Sequence, residues 1–463
     1  MDIVLAMLLS IVVKGIAAVV EIGIQMLITN VAGVREYGDF IFYVSIVEGG
    51  YYFLYSGSIK LNTYYLSIPG YSLYKFKRQY LFRFIIPTLV VFAGGLTIMR
   101  SYYGILVGLF ILLYYLSFDQ SSEFFARRHQ MPALFGEYLL GRIISFLGIL
   151  FVIQIGCVND VSLFSLYGLQ YLAMLIWFLF WRRHYNERTN NEVQVSLHKL
   201  FEFQLSDVAL SIVSYSPAIL QYMMVGAFSA GFTGIISIVR KFINFIAGPT
   251  AKVFLPEFSK LYKNKELDKL QNTYVMVVMI QMIFVGTIGA ALIAFPQIFL
   301  NIFSPELLPY SNIFSLTASC LMVVAGIGPV IGLLQMSGNE HICNRNQWLS
   351  IAAMAITWII FKDEFFFAIF GLCVQSLVQG ILNYYSMCRW FGHNVIPVTN
   401  YILIWMPVVI LKVLVSYMNL ERSYIALALA IVGVMVWNLY YALKNPMIRN
   451  TVSQKFGNKK RKV

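Results

Sequence analysis

Residues 4–28 read VLAMLLSIVVKGIAAVVEIGIQMLI, a run whose only polar side chains are Ser10, Lys14, Glu21 and Gln25. A helix needs ~20 residues to cross ~30 Å of hydrocarbon, so this stretch predicts a membrane-spanning helix. Lys14 and Glu21 lie seven apart on one face, with Ala18 between them and Gln25 four positions further on. That stripe gives the helix one polar side. The same reading recurs along the chain. Further apolar runs cover 39–65, 80–99, 102–122, 133–154, 162–181, 205–226, 232–252, 273–295, 311–335, 347–362, 365–388, 399–418 and 423–443. An all-α polytopic membrane protein with about fourteen transmembrane helices is therefore expected. Barrel strands alternate in ~10-residue units, whereas these runs are continuous.

Composition agrees. Of 463 residues, 59% are hydrophobic and only 12% charged, with a mean hydropathy of +0.73. Soluble chains carry roughly 25% charged residues, so a soluble enzyme or a disordered chain is excluded. The net charge of +13 and the tail GNKKRKV (Gly457–Val463) suit a cytoplasmic anchor beside anionic headgroups, and no nucleic-acid partner is expected. The 30 tyrosines suit interfacial belts.

Lys and Arg concentrate in cytoplasmic loops. The loops after even-numbered spans and the tail hold 22 of them, beginning with Lys75, Lys77 and Arg78. The opposite loops hold four: Arg35, Arg100, Lys362 and Arg422. Both termini are expected in the cytoplasm, and the first run is long enough to remain as a helix.

Catalytic chemistry is missing from the sequence. Five cysteines form no CxxC pair, and the five histidines fall in predicted loops without ligand spacing. No GxxxxGK[ST] loop occurs, and Gly326, Gly328 and Gly332 read as helix-packing positions. Predicted outer loops such as 227–231 are tiny, and the inner loop near 182–204 has no DxD-like pair. A transporter with no cofactor is expected, not an enzyme.

Eight basic residues remain inside the runs: Lys14, Lys60, Arg83, Arg142, Arg240, Lys241, Lys252 and Lys412. Arg83 and Lys252 sit near ends and can snorkel. A charge near the bilayer centre costs ~2.5–3.5 kcal/mol on insertion scales, so the deeper ones face a partner or a cavity. Acidic counterparts are Glu21, Glu48, Asp119, Glu123, Glu137 and Asp207. Individually these charges read as ion pairs, with Glu48 able to meet Lys14, Arg142 or Arg240. Together they predict a hydrated, cationic cleft for an anionic substrate such as a pyrophosphate.

A weak internal repeat runs through the chain. Gly33-Val-Arg-Glu-Tyr-Gly38 leads into Ser45-Ile-Val-Glu48, and Gly226-Ala-Phe-Ser-Ala-Gly231 leads into Ser237-Ile-Val-Arg240. Two pseudo-symmetric six-helix lobes, 1–195 and 196–394, are expected, followed by two helices over 395–445 and a basic tail over 446–463. Glu48 and Arg240 would then be symmetry mates, and transporters built from repeats bind substrate near the midplane. Prolines at 217, 249, 329 and 407 interrupt the runs, and Pro217 and Gly231 are candidate hinges.

GVREYGDF (Gly33–Phe40), YSGSIK (Tyr55–Lys60), PTAKVFLPEFSKLY (Pro249–Tyr262) and LLQMSGNEH (Leu333–His341) resemble the Wzx-type polysaccharide flippases. These sit in the multidrug/oligosaccharidyl-lipid/polysaccharide exporter superfamily, beside multidrug extruders and lipid II flippases. The resemblance implies two lobes in a V and outward movement of an undecaprenyl-pyrophosphate-linked repeat unit by alternating access. It implies O-antigen, capsule or exopolysaccharide synthesis in a bacterial inner membrane, with a polysaccharide polymerase and a chain-length regulator as candidate partners. A functional arginine in span 8 maps to Arg240, with Lys14, Lys60, Arg142 and Lys241 as further substrate contacts. Glu21, Glu48 and Asp119 are left as ion pairs or as carriers of a coupling proton or sodium ion. An organic-ion antiporter of the same superfamily is the alternative.

Overall fold

The computed structural model describes residues 3–444 apart from 56, 67–70, 101–102, 128, 186–190, 193–194, 196, 241–257, 259–260, 263 and 397. The described parts of the fourteen apolar runs are helical apart from turns near their ends and breaks at Tyr55 and around Gly328, and the chain is an all-α polytopic membrane protein. Among the described residues, eight helices are long and apolar enough to cross a membrane, and three shorter apolar helices accompany them. Contacts divide the chain into two compact units, Met1–Gly234 and Ile235–Val463.

The first unit holds α1 (Ile3–Val31), α2 (Val34–Leu54), α3 (Gly57–Leu66), α4 (Tyr74–Tyr80), α5 (Ile86–Arg100), α6 (Tyr103–Ala126), α7 (Gln130–Leu134), α8 (Gly141–Ile155), α9 (Asp160–His184) and α10 (Leu197–Met224). The start of α11 (Ala227–Arg240) also belongs to it. The run over 39–65 is two helices, α2 and α3, and Gln204 of α10 satisfies the backbone at the break. It accepts from Gly57 N at 2.6 Å and donates to the Tyr52 and Phe53 carbonyls at 2.7 Å each. Open backbone groups inside a bilayer need such a partner. A π turn, Leu81–Ile85, joins α4 to α5 one turn before Pro87, which lacks an N–H to donate. The Tyr55 hydroxyl donates to the Ile85 carbonyl at 3.2 Å. A second π turn, Phe135–Leu140, joins α7 to α8. Two-residue strands β1 (Tyr71–Ser72) and β2 (Asn191–Glu192) pair in parallel beside the end of α9.

The first glycine of each turn in the repeat adopts a positive φ. Gly33 precedes α2 at φ 96° and Gly226 precedes α11 at φ 124°, values that L side chains rarely adopt. The second glycines are where the two helices touch. A Cβ on Gly38 would overlap the Ala227 carbonyl, and one on Gly231 would overlap the Val34 carbonyl. Val34 follows Gly33 as Ala227 follows Gly226, so the contact is reciprocal across the repeat. Pro217 lies inside an unbroken α10.

The second unit holds α12 (Leu267–Ala294), α13 (Pro296–Phe303), α14 (Ser311–Gly326), α15 (Val330–Met336), α16 (Glu340–Ile360), α17 (Phe367–Phe391), α18 (Val398–Tyr417) and α19 (Tyr424–Lys444). Its core includes Tyr274, Val278, Leu333 and Leu334, all fully buried. The run over 311–335 breaks at Gly328 (φ 82°) and Pro329, and the Tyr274 hydroxyl donates to the Ile327 carbonyl at 2.6 Å. Buried Asn346 ties α16 to α17, donating to the Leu382 carbonyl, Asn383 Oδ1 and Ser386 Oγ.

At the α18–α19 turn, Glu421 Oε1 meets Lys412 Nζ at 2.9 Å and accepts from Ser416 Oγ at 2.7 Å, while Oε2 accepts from Gln297 Nε2 at 2.6 Å. Burial lifts this carboxyl, but the donors outweigh it and hold its pKa below the ordinary 4.5. Its stabilisation is therefore present at neutral pH and lost as pH falls below 4.5 through the depressed folded value. Thermal melts of Glu421→Gln should lie below wild type at pH 7, with the gap closing toward pH ~3. A gap independent of pH would contradict this.

Candidate functional site: a carboxylate and tyrosine cluster in the first unit

The polar stripe of α1 faces α8. Glu21 Oε2 meets Arg142 at 3.2 Å, and Gln25 Oε1 accepts from the buried Tyr37 hydroxyl at 3.0 Å. Arg142 is thus an ion-pair partner of Glu21. It also lies close enough to Glu48 on α2 to feel its charge.

Glu48 is encircled by phenols. It accepts from the Tyr167 hydroxyl, and the Tyr171 hydroxyl donates to that of Tyr167 at 2.8 Å. Tyr215 of α10 lies within electrostatic reach of Glu48. Tyr114 of α6 meets Tyr52 of α2 edge-on at 6.3 Å and packs on Tyr51 and Tyr171 at 4.2 and 4.5 Å between ring centroids. The cluster gathers two carboxylates and one guanidinium inside a sheath of rings. A phenol can donate or accept, so Tyr167 can serve Glu48 both ionised and protonated.

The belt expectation missed these rings, because Tyr37, Tyr51, Tyr114, Tyr167 and Tyr171 are buried. A spacing signal existed. Tyr167 and Tyr171 are four residues apart, and Tyr51 and Tyr52 follow Glu48 by three and four, all within one helical turn.

Asp119 stands in a different cluster. Its Oδ2 meets Lys77 Nζ at 3.0 Å and its Oδ1 accepts from Asn62 at 2.8 Å. Lys77, read from sequence as a loop residue, lies in α4. Arg240 is the last described residue of α11 and is half-buried. Lys14 and Lys60 lie on α1 and α3, with side chains outside the described set, and Lys241 is outside the described residues.

Among the described residues, the apolar helices carry buried charged and amide side chains. No family model and no curated protein sequence matches the chain. Solved structures do. The chain is similar to the lipid II flippase MurJ in an inward closed conformation, with TM-score 0.66, 12% identity, and 96% of this chain and 100% of that one covered. It is also similar to an inward-facing multidrug resistance MATE family transporter of the MOP superfamily, with TM-score 0.60, 12% identity, and 81% and 98% covered. A MOP superfamily transporter from Pyrococcus furiosus, described as having a binding pocket of reverse polarity, aligns at TM-score 0.56 and 12% identity over 83% and 95%. The chain has the fold of MOP superfamily transporters.

Proposed function

We propose that the protein flips undecaprenyl-pyrophosphate-linked oligosaccharide repeat units from the cytoplasmic to the outer leaflet of a bacterial inner membrane, by alternating access. The carrying observation is one of length. The alignment with the lipid II flippase reaches 96% of this chain, whereas that with the MATE transporter reaches 81%. The Lys and Arg bias supports termini in the cytoplasm. Lys14, Lys60, Arg142, Arg240 and Lys241 are the proposed contacts of the pyrophosphate. A polysaccharide polymerase and a chain-length regulator are the proposed partners. The α2–α11 crossing is the proposed outer gate.

Coupling is assigned to Glu48. Its phenol neighbours let it take up a proton without stranding a buried polar atom. The same cluster favours a second reading, an organic-ion antiporter, because carboxylates among aromatic rings suit cations.

The test is restoration of surface polysaccharide in a strain lacking its own flippase. Wild type should restore it, Arg240→Ala should not, and Glu48→Gln should reduce it at least roughly tenfold, the usual scale for losing a positioned proton carrier. No restoration by correctly inserted wild type, together with export of organic cations, would establish the antiporter instead.

A further inference from the structure

A second feature of the first unit lies away from the tyrosine cluster and is independent of what the protein carries. A cavity of about 490 Å³ opens where α4, α6 and the end of α9 meet. In its wall, Lys77 Nζ meets Asp119 Oδ2 and Glu123 Oε2 at 3.0 Å each, and Arg127 Nε meets Glu123 Oε1 at 3.2 Å. Asn62 holds Asp119 from behind. Both carboxylates are therefore committed. Arg78 and Arg182, both exposed, complete the lining and bring it to four cations against two carboxylates. Arg182 is aimed by a hydrogen bond to Gln120 at 3.2 Å.

One turn further along the same helices the chemistry changes. Phe82 and Leu116 line the charged cavity, and Ile86 and Leu112, four residues on, begin an apolar groove of about 750 Å³. The groove exists because small residues bring α5 and α6 together. A Cβ on Gly108 would come within 2.8 Å of Ala93 Cβ, while one on Gly94 would meet nothing within 4 Å. Its outer edge is membrane-facing, with Ile98 90% exposed. From Ile86 to Ile98 the helix rises about 18 Å, close to half of a ~30 Å hydrocarbon core.

We infer that this face holds one anionic glycerophospholipid, its phosphate on Arg78 and Arg182 and an acyl chain in the α5–α6 groove. Guanidinium groups favour phosphate through paired, charge-assisted hydrogen bonds. The adjoining groove selects a lipid over a free anion. Its length fits a chain that spans one leaflet, and cytoplasmic leaflets are the anionic ones.

Native mass spectrometry of the full chain, released from phosphatidylcholine nanodiscs doped with phosphatidylglycerol, tests this. Wild type should retain one phosphatidylglycerol, and millimolar inorganic phosphate should not displace it. The double variant Arg78→Gln/Arg182→Gln should lower retention roughly tenfold, a change of ~1.4 kcal/mol. Gly94→Trp, whose Cβ would meet nothing within 4 Å and whose ring would occupy the groove, should do the same while phosphatidylcholine adducts elsewhere persist. Displacement by phosphate, or full retention in Gly94→Trp, would overturn the lipid assignment in favour of a free-anion pocket. Equal retention of phosphatidylcholine, or no loss in the double variant, would overturn the headgroup site itself.

Discussion

Replacing Gly38 with leucine is expected to abolish transport while leaving the protein inserted in the membrane. The reason is steric and lies in the main chain. At the α2–α11 crossing the Cβ of residue 38 would overlap the carbonyl of Ala227, and no side-chain rotamer relieves a clash between a Cβ and a backbone atom. Overpacking that the neighbours cannot absorb costs more than ~4 kcal/mol only in exceptional sites; here the helices have a cheaper response, which is to separate. Gly231→Leu should behave alike, because its Cβ would overlap the Val34 carbonyl in the mirrored contact. Separation is readable without any assumption about substrate. Ser229 is 1% exposed beside the crossing, so Ser229→Cys in a background without the five native cysteines should resist a membrane-impermeant maleimide. It should react at least roughly tenfold faster once Gly38→Leu is added, since local opening governs access to buried groups. Unchanged labelling with normal surface glycan in Gly38→Leu would sink the gate assignment.

The glycines that form this crossing were readable as a repeat, but their contact was not. Gly33 and Gly226 announce themselves, because a glycine before an apolar run marks a turn, and both do adopt positive φ. That Gly38 and Gly231 would approach each other needs the third dimension. Helix positions were legible because hydrophobic length is a property of one segment at a time. The breaks inside runs 39–65 and 311–335 were harder. The small-residue stretch YSGSIK (Tyr55–Lys60) marks the first, but its support was not legible, because it comes from Gln204, some 150 residues away. Among the described residues, α2, α10 and α16 are less apolar than the eight longest apolar helices. Those helices carry Glu48, Gln204 and Asn346, and a helix facing a polar interior gives up apolar character for that role. Charge pairing was the least legible property. Glu48 had three candidate basic partners in the sequence, and the structure surrounds it with phenols while Arg142 turns to Glu21.

That pairing sets the second large effect. Arg142→Ala is expected to lower stability by about 1–3 kcal/mol, because it removes the ion pair that joins α8 to α1 and takes a guanidinium away from two carboxylates, Glu21 and Glu48. Heat-stability profiles in detergent should show the loss directly. Adding Glu21→Gln to Arg142→Ala removes the carboxylate that lost this partner, so the double variant should recover part of the loss, and the two changes should be non-additive. Arg142→Lys should fall between, since a lysine keeps the charge but not the planar fork. Additive losses would mean that the ion pair is not what holds α1 to α8. The double variant also separates the two roles that the sequence leaves open for Arg142. A stable double variant that restores surface polysaccharide makes Arg142 a structural partner of Glu21. A stable one that does not restore it keeps the guanidinium among the contacts of the pyrophosphate, because the fold then survives without it and only transport is lost.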